Sequence, residues 1–141
     1  MLKPNENGAS ILHNDKWYII YNDNDTISSK RFTVAHELGH ILLGHPHKSG
    51  YFSQRNGRNY ESNEMQADSF ASRLLSPACI LWGLDLHTPE EIADYCQISM
   101  WLARFRANRM RELYERNKFL THPLERQVYA NFEEYIQINR R

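Results

Sequence analysis

An excess of charge of either sign is missing from this chain. Seventeen Lys and Arg balance seventeen Asp and Glu across 141 residues, so the whole molecule offers no electrostatic footprint for nucleic acid or an anionic membrane surface. Any such role has to be local. No apolar run approaches the roughly 18 residues of a spanning helix. The start, MLKPNENGAS, lacks the basic-then-apolar order of a signal peptide, so the expected location is the cytoplasm, with no membrane partner. Cysteine is scarce as well. Cys79 and Cys96 sit in apolar surroundings, fit no C-x-x-C spacing, and read as reduced packing residues. Internal repeats, low-complexity tracts and long linkers are absent. The 41% hydrophobic and 24% charged content is globular usage, and the length suits one domain around one core.

The local signals favour helices beside a little sheet. KWYIIY, residues 16–21, is rich in β-branched and aromatic types and runs into the turn-forming NDND, which predicts a strand. A second, weaker strand is expected near Ala9 to His13. Ser28 or Ser29 is a candidate N-cap for a helix from about Lys30 to Leu43, with Gly44 as a left-handed stop and Pro46 preventing continuation. The polar run over residues 47–60 reads as a long loop. Asn63 and Gln66 resemble a capping box opening a helix to Leu75, and Ser76-Pro77 suits the start of a short one ending at Trp82. Thr88-Pro89-Glu90-Glu91 is a strong start signal for a helix to Cys96, and Ser99 caps another to about Asn117. From Thr121 and Pro123, a final helix would carry Leu124, Val128, Phe132 and Ile136 at steps of four.

The stretch TVAHELGHILLGHP, residues 33–46, lies on the first of these helices. Positions four apart share a helix face, so His36 and His40 can present imidazole nitrogens to one ion at about 2.0–2.1 Å. Glu37 is turned about 100° from His36, beside such an ion, where a general base for a water molecule belongs. With seven histidines in 141 residues, H-E-x-x-H arises by chance in roughly 3% of such chains. A solvated helix face bearing two histidines is the competing reading, and a third ligand is needed to decide. The metzincin continuation is excluded, because Leu43 and Pro46 occupy its glycine and histidine positions. His45 and His47 follow the helix stop and would close the site to water if they were ligands. Glu64 in NEMQADSFASRLL is the better candidate, since His2Glu leaves a fourth position open. Asp68, one turn on, can accept the free N–H of a liganding histidine. Ala67, Phe70, Ala71, Leu74 and Leu75 would pack this helix on the first, which selects Glu64 over its neighbour Glu61. An ordinary solvated acidic face is the bland alternative for Glu64 and Asp68.

The runs RFTVAHELGHILLGH and NEMQADSFASRLLSP resemble the two zinc-site blocks of the ImmA/IrrE family of metallopeptidases, and the segment from TPEEIADYCQIS to LYERNKF is similar to the region that follows them. The resemblance covers residues 31 to about 118. It implies His36, His40 and Glu64 as metal ligands, Glu37 as the catalytic base, one Zn2+ per chain, and a protein substrate of the regulatory kind, since some members cleave or disable a partner repressor. Members commonly have another helix and strand before the zinc helix, where only some thirty residues stand here. LLSP also replaces the frequent LLMP.

Residues 88–118 offer a rival reading as a helix-turn-helix, the second helix carrying Arg104, Arg106, Arg109, Arg111, Arg116 and Lys118. A recognition helix reads bases with its N-terminal residues, and Met100, Trp101 and Leu102 cannot supply bidentate pairs. These three read as core, and no nucleic-acid partner is expected. The reading is therefore an α+β, mostly helical fold: a zincin-like metallopeptidase core over residues 1–84 with a small sheet, and a helical region over residues 85–141 packed on it as one compact unit. The function is that of a zinc endopeptidase. A DNA-binding regulator and a non-catalytic zinc-binding interaction protein are the alternatives. Tyr51, Tyr60, His45 and His47 are candidates for the oxyanion donor, and the strand at residues 17–21 for pairing with an extended substrate.

Overall fold

A computed structural model describes residues 7–46 and 60–140. The loop expected from residue 47, with the candidates His47 and Tyr51, lies outside the described residues up to Asn59. Among the described residues the fold is α+β and mostly helical, with two strands and seven helices. The chain forms two compact units, one up to Leu74 and one from Leu75.

In the first unit, β1 (Gly8–His13) and β2 (Lys16–Tyr21) form an antiparallel two-stranded sheet in register from Gly8 opposite Tyr21 to His13 opposite Lys16. The two linking residues, Asn14 and Asp15, have φ of 50° and 59°. Positive φ at both is the type I′ hairpin condition, whose twist matches that of the strands, and Asn and Asp bear it at little cost. Helix α1 (Ile27–Leu42) starts earlier than its serines suggest. Its N-cap is Thr26, whose side chain accepts from the Ser29 amide at 3.3 Å, while the Ser29 hydroxyl donates to Asp25. Helix α2 (Tyr60–Leu75) also begins early, so Asn63 lies inside it rather than capping it.

The two helices approach closely at Gly39. A Cβ there would lie 3.0 Å from Phe70 Cδ1 and 3.3 Å from Ala67 Cα, and Ala67 and Ala71 are fully buried. Small residues on both helices permit this approach, and it carries Glu64 to the histidines. Of the apolar set expected to face α1, Leu74 is instead about half exposed.

The second unit holds α3 (Ala78–Gly83), α4 (Pro89–Cys96), α5 (Met100–Glu115), α6 (Pro123–Asn131) and α7 (Glu133–Asn139). Pro77, not Ser76, occupies the N-cap position of α3 in extended conformation. Ser76 is buried, and its carbonyl accepts from Arg106 Nη2 at 2.8 Å. Helix α4 has the full capping box between Thr88 and Glu91. It ends on Gln97 at φ 53°, the left-handed turn usually given to glycine. Ser99 caps α5 through the Leu102 amide.

The final helix is two helices. His122, rather than Thr121, caps α6, its Nδ1 accepting from the Leu124 amide, and the chain breaks at Phe132. A continuous helix would keep Ile136 on the stripe with Leu124, Val128 and Phe132, all of which are exposed. After the break Ile136 is buried, its Cδ1 and Cγ2 each 3.0 Å from the Cβ position of Gly83. No helix among the described residues is long and apolar enough to cross a membrane.

Candidate metal centre

His36 and His40 project from one face of α1, and Glu64 meets them from α2. His36 Nε2 lies 3.0 Å from His40 Nε2 and 3.1 Å from Glu64 Oε2, and Glu64 Oε1 lies 3.2 Å from His40 Nε2. One ligand atom from each residue falls within 4.8 Å of the others. Ligands about 2.0–2.1 Å from a tetrahedral ion stand roughly 3.3 Å apart, so the observed spacing is that of a site slightly contracted around its centre.

Electrostatics favour a cation there. His36 Nδ1 is 2.8 Å from Asp68 Oδ1, and a carboxylate accepts only, so Nδ1 donates, which in the neutral ring leaves the lone pair on Nε2. That lone pair faces a carboxylate and a second imidazole. Glu64 Oε1 is buried and accepts no hydrogen bond despite its nearness to His40. A buried carboxylate oxygen that accepts no hydrogen bond is costly unless a positive charge lies close to it. The donor set therefore fits a divalent ion of the imidazole and carboxylate preference.

Exposure is graded across the cluster. The side chain of His40 is 2% exposed, that of His36 15% and that of Glu64 27%, so solvent reaches the centre past His36 and Glu64. Glu37, next to His36 on α1, is itself buried. Strand β1 covers it, its Cγ lying 3.3 Å from the Cβ position of Gly8. Glu61 is exposed on α2, three residues before Glu64.

His45 does not join the ligand atoms. Its Nδ1 is 3.0 Å from His40 Nδ1, on the side of that ring away from Glu64, and its Nε2 is 3.2 Å from Gln66 Oε1. Both ring nitrogens are thereby engaged behind the ligand, which removes His45 from the oxyanion candidates. The expected capping box of Asn63 and Gln66 does not form; Gln66 bonds His45 and Ser62 instead. The available signal was Gly44: a left-handed residue there makes His45 the second residue past the helix, which packs back against His40.

The fold and the cluster define a helical α+β domain built to hold a metal ion between two helices. A family model described as Peptidase_M78, IrrE N-terminal-like domain, matches residues 2–108, and the chain belongs to that family of peptidases. The match takes in both strands and the two helices that bring His36, His40 and Glu64 together, along with α3, α4 and the first half of α5. No curated protein and no solved structure matches the chain.

Proposed function

We propose that the protein is a zinc-dependent endopeptidase of the cytoplasm, with one zinc per chain held by His36, His40 and Glu64. The observation that carries this reading is the convergence of two imidazole Nε2 atoms and a carboxylate, with Asp68 against the far nitrogen of His36. Bound there, zinc supplies Lewis acidity to a scissile carbonyl and acidifies a water molecule. Glu37 takes the water's proton on its carboxylate and delivers it to the leaving amine. Asp68 holds His36 in the ligating tautomer throughout. An extended substrate pairs with the edge of β2 away from β1, which no other described strand covers and whose Tyr18, Ile20 and Tyr21 are exposed.

The substrate we propose is a regulatory protein, a repressor encoded nearby, as the family resemblance implies. DNA reading is the weaker alternative. Met100 and Trp101 are exposed at the start of α5 rather than buried, and only Leu102 of the three is core. Exposed apolar side chains at that position still lack the donors and acceptors that distinguish bases. They suit contact with a protein.

The test is incubation of the zinc-loaded protein with the products of neighbouring genes, cut sites being read by mass spectrometry, with Glu37→Gln as control. Specific cleavage by the wild type alone is expected. Zinc-replete protein that leaves every such partner intact, yet binds one, would make it a non-catalytic zinc-binding interaction protein.

A further inference from the structure

Helix α1 ends in a Schellman motif that brings a third histidine against a ligand. The His45 amide donates to the His40 carbonyl at 3.0 Å and the Gly44 amide to that of Ile41 at 3.3 Å, with Gly44 at φ 70°. In this motif the second residue past the cap meets the side chain three back from the cap, usually through an apolar contact. Here those two residues are His45 and His40, and the contact is a hydrogen bond between two Nδ1 atoms. The chain of polar atoms continues: His45 Nε2 to Gln66 Oε1, then Gln66 Nε2 donating to Ser62 Oγ at 3.2 Å. His45 is itself buried.

We propose that His45 is a positioning residue for the metal centre, acting through His40 as Asp68 acts through His36. The inference rests on His36, His40 and Glu64 being the ligands. A metal on His40 Nε2 leaves the proton of that neutral ring on Nδ1, where it must be donated. The only ring atom of His45 within reach is its Nδ1, which therefore accepts and carries no proton. The His45 proton then sits on Nε2 and is donated to Gln66 Oε1, an oxygen that can only accept. Each bond has one donor and one acceptor, and the direction is set along the whole path. The two ligands of α1 are thus oriented by different chemistries, a carboxylate for the more exposed His36 and a neutral imidazole for the buried His40. A second carboxylate behind His40 would instead bury another negative charge close to Glu64, which is costly.

The test compares zinc affinity, by competition with a chromogenic chelator, for wild type, His45→Asn and His45→Leu. The asparagine Oδ1 can take the accepting place of Nδ1, whereas leucine offers no acceptor. The expected result is that His45→Leu loses about 10- to 100-fold in zinc affinity, a loss typical of removing such partners, while His45→Asn stays within a few-fold of wild type. Nitrogen-15 NMR of the zinc-loaded wild type should show His45 protonated on Nε2 alone and His40 on Nδ1 alone, which decides the matter even if His45→Leu does not fold. Wild-type affinity in His45→Leu, equal loss in both variants, or a proton on His45 Nδ1 would overturn the proposal while leaving the ligands in place. Absence of zinc binding by the wild type would instead overturn the ligand reading, and the proposal with it.

Discussion

At the scale of single residues, the same acidic side chain has different consequences at neighbouring positions. Glu64→Gln and His36→Ala should each abolish stoichiometric zinc in the purified protein, measured by elemental analysis. Glu61→Gln should leave it unchanged, because Glu61 lies on the exposed side of α2. Retained zinc in the first two variants would refute the ligand assignment. Glu37→Gln should keep zinc and fold but lose about 10^2- to 10^4-fold in turnover, the usual contribution of a general base; undiminished cleavage would place the base elsewhere. The two cysteines also differ. Burial pushes the Cys79 thiol above its ordinary pKa, and the negative charge of Glu125 adds to the effect. A thiol with a raised pKa has less thiolate at neutral pH, so mass mapping after brief alkylation of the native protein should find Cys96 modified before Cys79.

At the scale of elements, the helix stop and the helix crossing do the positioning. Gly44→Ala meets no neighbour, since nothing lies within 4 Å of a Cβ there. Its cost is the left-handed backbone, about 1–2 kcal/mol, and it should weaken zinc binding along with stability as His45 loses its place. Gly39→Val should act by another route, forcing α1 and α2 apart at Phe70 and Ala67. Circular dichroism should show helices retained while zinc content falls. The elements whose signals are purely local were legible in the sequence: KWYIIY as a strand, the Thr88 capping box, and Gly44 as the end of α1. The start of α1 is legible only to within a few residues, because Thr26, Ser28 and Ser29 are all chemically able to cap and Thr26 does. The break at Phe132 was invisible for a related reason. An apolar side chain every fourth residue records a helical stripe but not which part of it is covered, and of the four only Ile136 is buried.

At the scale of the whole molecule, balanced charge and a site assembled from two helices govern behaviour in solution. Zinc that binds only the folded chain should stabilise it by about 2.7 kcal/mol when free metal is a hundredfold above the dissociation constant. A chelator should lower the melting temperature of the wild type and leave that of His36→Ala unmoved. DNA binding, where measurable, should be weak and fall steeply with salt, reflecting only the basic side of α5; a sequence-specific complex at physiological salt would favour the rival regulator. The site was more legible than the fold around it. Its residues announce themselves by type and spacing, and the hydrogen bond that His36 donates to Asp68 joins positions 32 apart in the chain.

That separation means the two ligand-bearing helices are tethered to each other by one continuous stretch of chain. The tether keeps Glu64 and the histidines in one molecule, so their meeting is intramolecular. A single proteolytic cut between His40 and Glu64 would leave every side chain of the centre intact and convert an intramolecular encounter into a bimolecular one. Metal retention would then fall more steeply on dilution than in the uncut chain, because two pieces of protein and the metal would all have to meet.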